Sequence, residues 1–190
     1  MGSSLAAVYD AIDTANADDP THLSEGPRAL VEGRRATHWI SHLDSHAAEP
    51  VLIAARAHHL TRWRVPRQSY PEGRAGYLRW RRDQKKRHAD DMADILAANG
   101  YGPADIERVQ QLLVRTELGT DPEVQLVEDA ACLVFLETQF DDIIERLEPD
   151  QLVTVVRKTL AKMSPAAVSA VSAITLSAEA TAALAAAAPD

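Results

Sequence analysis

The chain has 190 residues, 46% of them apolar but only 5% aromatic, and a formal net charge of −8. That length fits one domain with a substantial core, and the negative balance argues against general nucleic-acid binding. The single cysteine, Cys132, excludes an internal disulfide and no apolar run approaches the ~20 residues of a membrane span, so a cytoplasmic protein off the membrane is expected.

Helical periodicity recurs and strand-period alternation does not, which predicts an all-α fold, one compact domain of about seven helices. Met1–Ala6 has the outline of a myristoylation motif but carries Ala6 where Ser or Thr is required, and no secretory signal is visible. A first helix is expected over Ser4–Asn16, with Leu5, Val8, Tyr9 and Ile12 on one face, ended by Asp18–Asp19–Pro20. A second spans Pro27–Ser45, with Leu30, Trp39, Ile40 and Leu43 as core. Pro50 starts a third, because proline's missing donor costs nothing in a first turn, and its apolar run leads into His58 and His59.

The stretch Arg62–Gly73 contains Pro66, Pro71 and Gly73 and breaks the periodicity, yet it carries Trp63, Val65 and Tyr70, so it reads as a long ordered loop. A long helix follows from Ala75 to Asn99 and another from Pro103 to Thr116. Asp121–Pro122–Glu123 combines a capping acid with a first-turn proline. The helix it starts, expected to run to Leu147, is the most apolar and belongs at the centre. Gln151–Met163 makes one more. Residues 1–163 thus form the helical domain, and the Ala-rich residues 164–190 are left as one or two weak helices or a tail.

Charge is unevenly placed. From Arg56 to His88 there are eleven Lys and Arg against two acids, Glu72 and Asp83, which leaves nine bases and twenty-six acids elsewhere. Such a field draws in a small anionic, phosphate-bearing ligand or a short nucleic-acid feature, while the acidic remainder repels a long polyanion. Arg74, Tyr77, Arg81, Lys85 and His88 recur at helical spacing and share a face. With Arg62, Arg64 and Arg67 of the loop they could clamp phosphate oxygens, and Trp63 and Trp80 could stack on a ring. A solvated basic face and loop-anchoring tryptophans are the plain alternatives.

His58, His59 and His88 flank the loop, and Glu128 and Asp129 lie in the most apolar helix, where a carboxylate is costly unless it is paired or binds a metal. Imidazoles and carboxylates from separate helices are how helical folds build metal centres. The plain alternative pairs the acids with an arginine of the loop. His38, His42 and His46 also lie four apart but read as a solvated face, and Cys132 as a small core residue. No phosphate-loop glycine pattern, Gly-x-Ser-x-Gly elbow, paired CxxC or His-Glu-x-x-His is present.

The string Ala54–Trp63, then Pro66–Arg67, Tyr70–Pro71, Gly73–Leu78 and Trp80–Arg81, resembles a family of uncharacterised bacterial and fungal proteins known as a domain of unknown function. Asp121–Gln125, Glu128–Asp129 and Phe135–Glu137 carry the same likeness, which extends over Leu5–Met163. More distantly the chain resembles the HD-domain phosphohydrolases, helical enzymes that hold a divalent metal with a His, a His-Asp pair and a distant Asp. That likeness implies His38 for the first His, His58–His59 for the pair, with His59 where the Asp belongs, and Asp129 for the last acid.

Two functions follow as expectations. The first is a metal-dependent phosphohydrolase acting on a nucleotide or other phosphate ester. His59, His88 and Asp129 would hold a divalent metal, His58 and Glu128 would serve catalysis, and Arg62, Trp63, Arg67, Arg74, Tyr77, Arg81 and Lys85 would bind substrate. The second is a non-catalytic module for an anionic ligand, such as a nucleotide or an RNA end, or for an acidic protein surface, including a second copy of the chain.

Overall fold

In a computed structural model, which describes residues 4–187, Ser4 opens the first helix, α1 (Leu5–Asn16), by accepting from the Ala7 amide. The Met1–Ser3 start of the myristoylation-like motif and Ala188–Asp190 of the Ala-rich segment lie outside the described residues. A two-residue antiparallel pair, β1 (His22–Leu23) and β2 (Gly26–Pro27), leads into α2 (Arg28–Leu43), with His22 opposite Pro27. This hairpin is too short to leave an alternation in the sequence. Asp19 caps α2 from outside, accepting from the Ala29 amide at 2.9 Å, since Pro27 has no side chain for that task.

The remaining elements follow the expected order with shifted ends. α3 (Glu49–Arg56) carries Pro50 in its first turn, as the missing donor allows, and α4 (Gly73–Ala98) is 26 residues long. α5 (Pro103–Val114) returns along α4. Asp121 caps α6 (Pro122–Thr138) from the side chain, accepting from the Glu123 and Val124 amides at 2.9 and 3.3 Å. α6 packs against α2, α3 and α5 and holds the middle of the core, with Val127, Leu133 and Val134 at 1% exposure or less.

Two expectations need correction. The central helix does not run to Leu147: Gln139 leaves helical geometry at φ −129°, Thr138 bonds back to the Val134 carbonyl, and a short α7 (Phe140–Ile144) turns so that Phe140 is buried. The described residues form ten α-helices rather than about seven, because α8 (Pro149–Leu160) is followed by α9 (Pro165–Ala170) and α10 (Ala178–Ala187). The Ala-rich segment is packed: Ala167, Ile174, Ala180 and Ala187 join the core, α9 against α6 and α2, α10 against α8 and α7. The all-α, single-domain architecture stands.

The loop between α3 and α4 is ordered by hydrogen bonds to its own backbone. It holds two 3₁₀ turns, Arg62–Arg64 and Arg67–Ser69. Arg67 donates to the Tyr70, Pro71 and Gly73 carbonyls, while Trp80 and Gln84 of α4 both donate to the Val65 carbonyl. Gly76 lets the loop lie flat on α4, for a Cβ there would stand 1.9 Å from the Pro71 carbonyl oxygen. Among the described residues, no helix is long and apolar enough to cross a membrane.

Candidate metal and anion centre

The centre is assembled where α2 crosses the end of α3. Gly33 makes the crossing close: a Cβ on it would lie 2.5 Å from the Arg56 carbonyl oxygen. This approach sets Glu32 of α2 beside His58 and His59, which occupy the turn after α3. Thr61 then takes a left-handed conformation, φ 48°, rarely adopted by a branched residue. It is held from both sides. Its amide donates to Asn16 Oδ1 at 2.8 Å, and Arg87 donates to its carbonyl at 3.0 Å. The kink redirects the chain so that Arg62 lies over Trp80, 4.5 Å from the ring centroid.

Glu32, His58 and His59 each offer a ligand atom within 4.8 Å of the others. His58 Nδ1 lies 2.8 Å from the Ala55 carbonyl, which only accepts, so the proton sits on Nδ1 and Nε2 is left with its lone pair. That Nε2 is buried with no partner, as are both ring nitrogens of His88. An unpaired buried polar atom costs about 1–3 kcal/mol, so these nitrogens call for a partner, a role that an ordered water or a metal could fill. His59 Nδ1 meets Glu32 Oε2 at 2.5 Å, and the His59 side chain keeps 18% of its surface exposed, which opens the group to solvent.

The surroundings are strongly positive. Burial, reinforced by the neighbouring imidazoles, holds His58 and His88 well below the ordinary histidine range. Burial does the same to His59, followed by the charges of Arg62, Arg115, Arg81 and Arg28. The imidazoles are therefore neutral at pH 7, the form in which they coordinate metals. Burial pushes Arg62 down to about 10, still charged at neutral pH.

The expected site residues separate into groups. His58, His59, Arg62 and Arg81 come together. His88 is buried close by but lies outside the ligating trio. The stripe Arg74, Tyr77, Arg81, Lys85 and His88 does share a face, and it descends from exposed Arg74 and Tyr77 through half-buried Arg81 and Lys85 to His88 at 2% exposure. Arg81 lies over the Tyr77 ring, and Lys85 donates to the Val114 carbonyl. Trp63 is half-buried beneath Arg64. Arg67 is taken up by its own loop, as described.

Asp129 does not join the trio. It is 2% exposed and accepts from the Gln125 side chain and the Ser164 amide, both at 2.8 Å, which satisfies it without a metal. Glu128 pairs with Arg115 and Lys162, which hold it down at about 2 against the upward push of burial. Its arginine comes from the end of α5 and not from the loop. His38, His42 and His46 are exposed, and His46 lies beyond the helix, so the first histidine implied by the HD-domain likeness is not at the centre. Burial raises the Cys132 thiol to about 12, which fits a core residue.

Glu32 escaped the sequence reading. Its signal was present: it shares the buried face of α2 with Ala29, Ala36 and Trp39 at helical spacing, an acid on an apolar stripe.

No curated protein and no solved structure matches the chain. The family described as a domain of unknown function (DUF4202) matches residues 6–184, nearly the whole length, and the protein belongs to that family.

Proposed function

We propose that the protein hydrolyses the phosphate ester of a small molecule such as a nucleotide, with a divalent metal held by Glu32, His58 and His59. One observation carries this reading: a carboxylate and two neutral imidazoles within 4.8 Å, one imidazole nitrogen left without a partner, lie in the field of Arg62, Arg81 and Arg115. A metal there would lower the pKa of a bound water and neutralise phosphate charge. The guanidiniums would orient the ester and meet charge developing on its oxygens.

The test is elemental analysis of protein purified without chelator, followed by phosphate release from a panel of nucleoside monophosphates. About one equivalent of a transition metal is expected, with metal and turnover both lost in Glu32→Gln and His59→Ala. Metal-free protein without turnover would overturn the reading.

A second reading is favoured by the charge count. Arg28, Arg62, Arg81 and Arg115 all act on His59, and Glu32 is the carboxylate in contact with it. An anion is stabilised by such a set without any metal. On this reading the protein binds a phosphate-bearing ligand, a nucleotide or an RNA end, and does no chemistry. Phosphate binding that persists in chelator, with no metal and no turnover, separates it from the first.

A further inference from the structure

Next to the imidazoles, three cations close around one carboxylate. Arg115 Nη1 bonds Glu128 Oε2 at 2.5 Å, Lys162 Nζ stands 3.6 Å from Glu128 Oε1, and Lys85 Nζ reaches the Val114 carbonyl at 3.3 Å. The Arg115 side chain is 8% exposed, and its Nε is buried with no partner. Lys162, at 36%, opens the group to solvent. The Arg115 side chain is buried and Lys85 and Lys162 are half-buried, and three cations held this close to one carboxylate repel one another until a further negative charge joins them. The strain is felt at Lys85, pushed down to about 8 by burial first and then by Arg115 and Arg81, with Glu128 opposing. Arg115 also acts on His58 and His59, so its charge reaches the candidate centre.

We propose that Lys85, Arg115 and Lys162 form a second anion subsite that takes a further phosphate group of the ligand bound at His59. The ligand class is then a pyrophosphate-bearing compound, such as a nucleoside diphosphate; this rests on the reading of His59 and its guanidiniums as a phosphate site. Glu128 and Asp129 are positioning residues in this arrangement. Glu128 holds Arg115 and Lys162 by charge. Asp129 binds the Ser164 amide and Gln125, and Gln125 donates to the Lys162 carbonyl at 2.7 Å, so the turn that carries Lys162 is fixed from α6.

The experiment is calorimetric titration of the full chain, without added metal and at low salt, with inorganic phosphate and with pyrophosphate. Wild-type protein should bind pyrophosphate about tenfold more tightly or better. The double variant Lys85→Ala/Lys162→Ala should lose roughly that tenfold advantage while its phosphate affinity stays within about threefold. Lys162→Ala alone, at a partly exposed position, should lose about threefold for pyrophosphate with an unchanged melting temperature, which guards against misfolding as the cause. Equal wild-type affinity for the two anions, or a proportional loss of both in the double variant, overturns the subsite alone. Wild-type protein that binds neither anion overturns both the subsite and the phosphate site on which it rests.

Discussion

His59 and Glu32 meet across the crossing of two helices, Nδ1 to Oε2 at 2.5 Å, and the carboxylate behind this contact is 2% exposed. Glu32 also accepts from Gln139 at 2.7 Å through Oε1, so one buried acid satisfies donors from two distant parts of the chain. Glu32→Ala strands all of them and is expected to lower stability by about 3 kcal/mol, whereas Glu32→Gln keeps an acceptor and should cost about 1 kcal/mol. Urea unfolding of the two variants checks the ranking. Equal losses would show that the carboxylate's hydrogen bonds contribute little.

The crossing itself depends on Gly33. Its Cβ would meet the rigid Arg56 carbonyl at 2.5 Å, so Gly33→Ala must push α2 away from α3. A cost of about 2–3 kcal/mol is expected, with metal affinity down about tenfold because Glu32 withdraws from the imidazoles. Denaturation and metal titration would move together. A stable variant with unchanged metal affinity would contradict the crossing as the device that builds the centre.

Acid should unfold the protein in two separate windows. The folded chain resists protonation of His58, His59 and His88, whereas each takes up a proton near pH 6.5 once unfolded. Their contribution is therefore complete above about pH 7 and declines as pH falls below about 6.5, by about 1.4 kcal/mol per pH unit for each histidine. Glu128 and Asp121, both held down to about 2, contribute above their ordinary 4.5 and 3.8 and lose that contribution only below those values. Unfolding free energies measured from pH 8 to pH 5 should fall, and His88→Gln should flatten the slope. A flat wild-type profile over that range would show the imidazoles protonating freely in the folded state.

Arg115 and Glu128 are coupled by burial, their side chains 8% and 5% exposed. Removing Arg115 leaves Glu128 with Lys162 at 3.6 Å and the more distant charge of Lys85, so Arg115→Ala should cost about 3 kcal/mol. In Arg115→Ala/Glu128→Gln the loss should fall short of the sum by about 2 kcal/mol. Additive losses in the double-mutant cycle would mean that the pair is no more than adjacent.

The sequence made the helical frame legible wherever a cap or a proline marked an edge, as at Ser4, Pro50, Pro103 and Asp121. It also marked the Arg- and Trp-rich loop and the imidazoles at its mouth. The Ala-rich end was opaque because Ala180, Ala183 and Ala187 keep a helical period that uniform composition hides. Asp129 misled for a physical reason: a buried acid can be satisfied by amide N–H donors as well as by a metal, and the Ser164 amide lies 35 positions away. Glu32 and His59 lie 27 positions apart, and their meeting depends on a helix crossing that local pattern does not encode.

The break between α6 and α7 has a consequence for how the centre can be tuned. Gln139 stands at that break and donates a hydrogen bond to Oε1, the far oxygen of the carboxylate that meets His59. That bond fixes which way the carboxylate faces, and with it how Oε2 meets the imidazole. A substitution at this joint therefore shifts the orientation of His59 without replacing any of the three residues grouped at the centre.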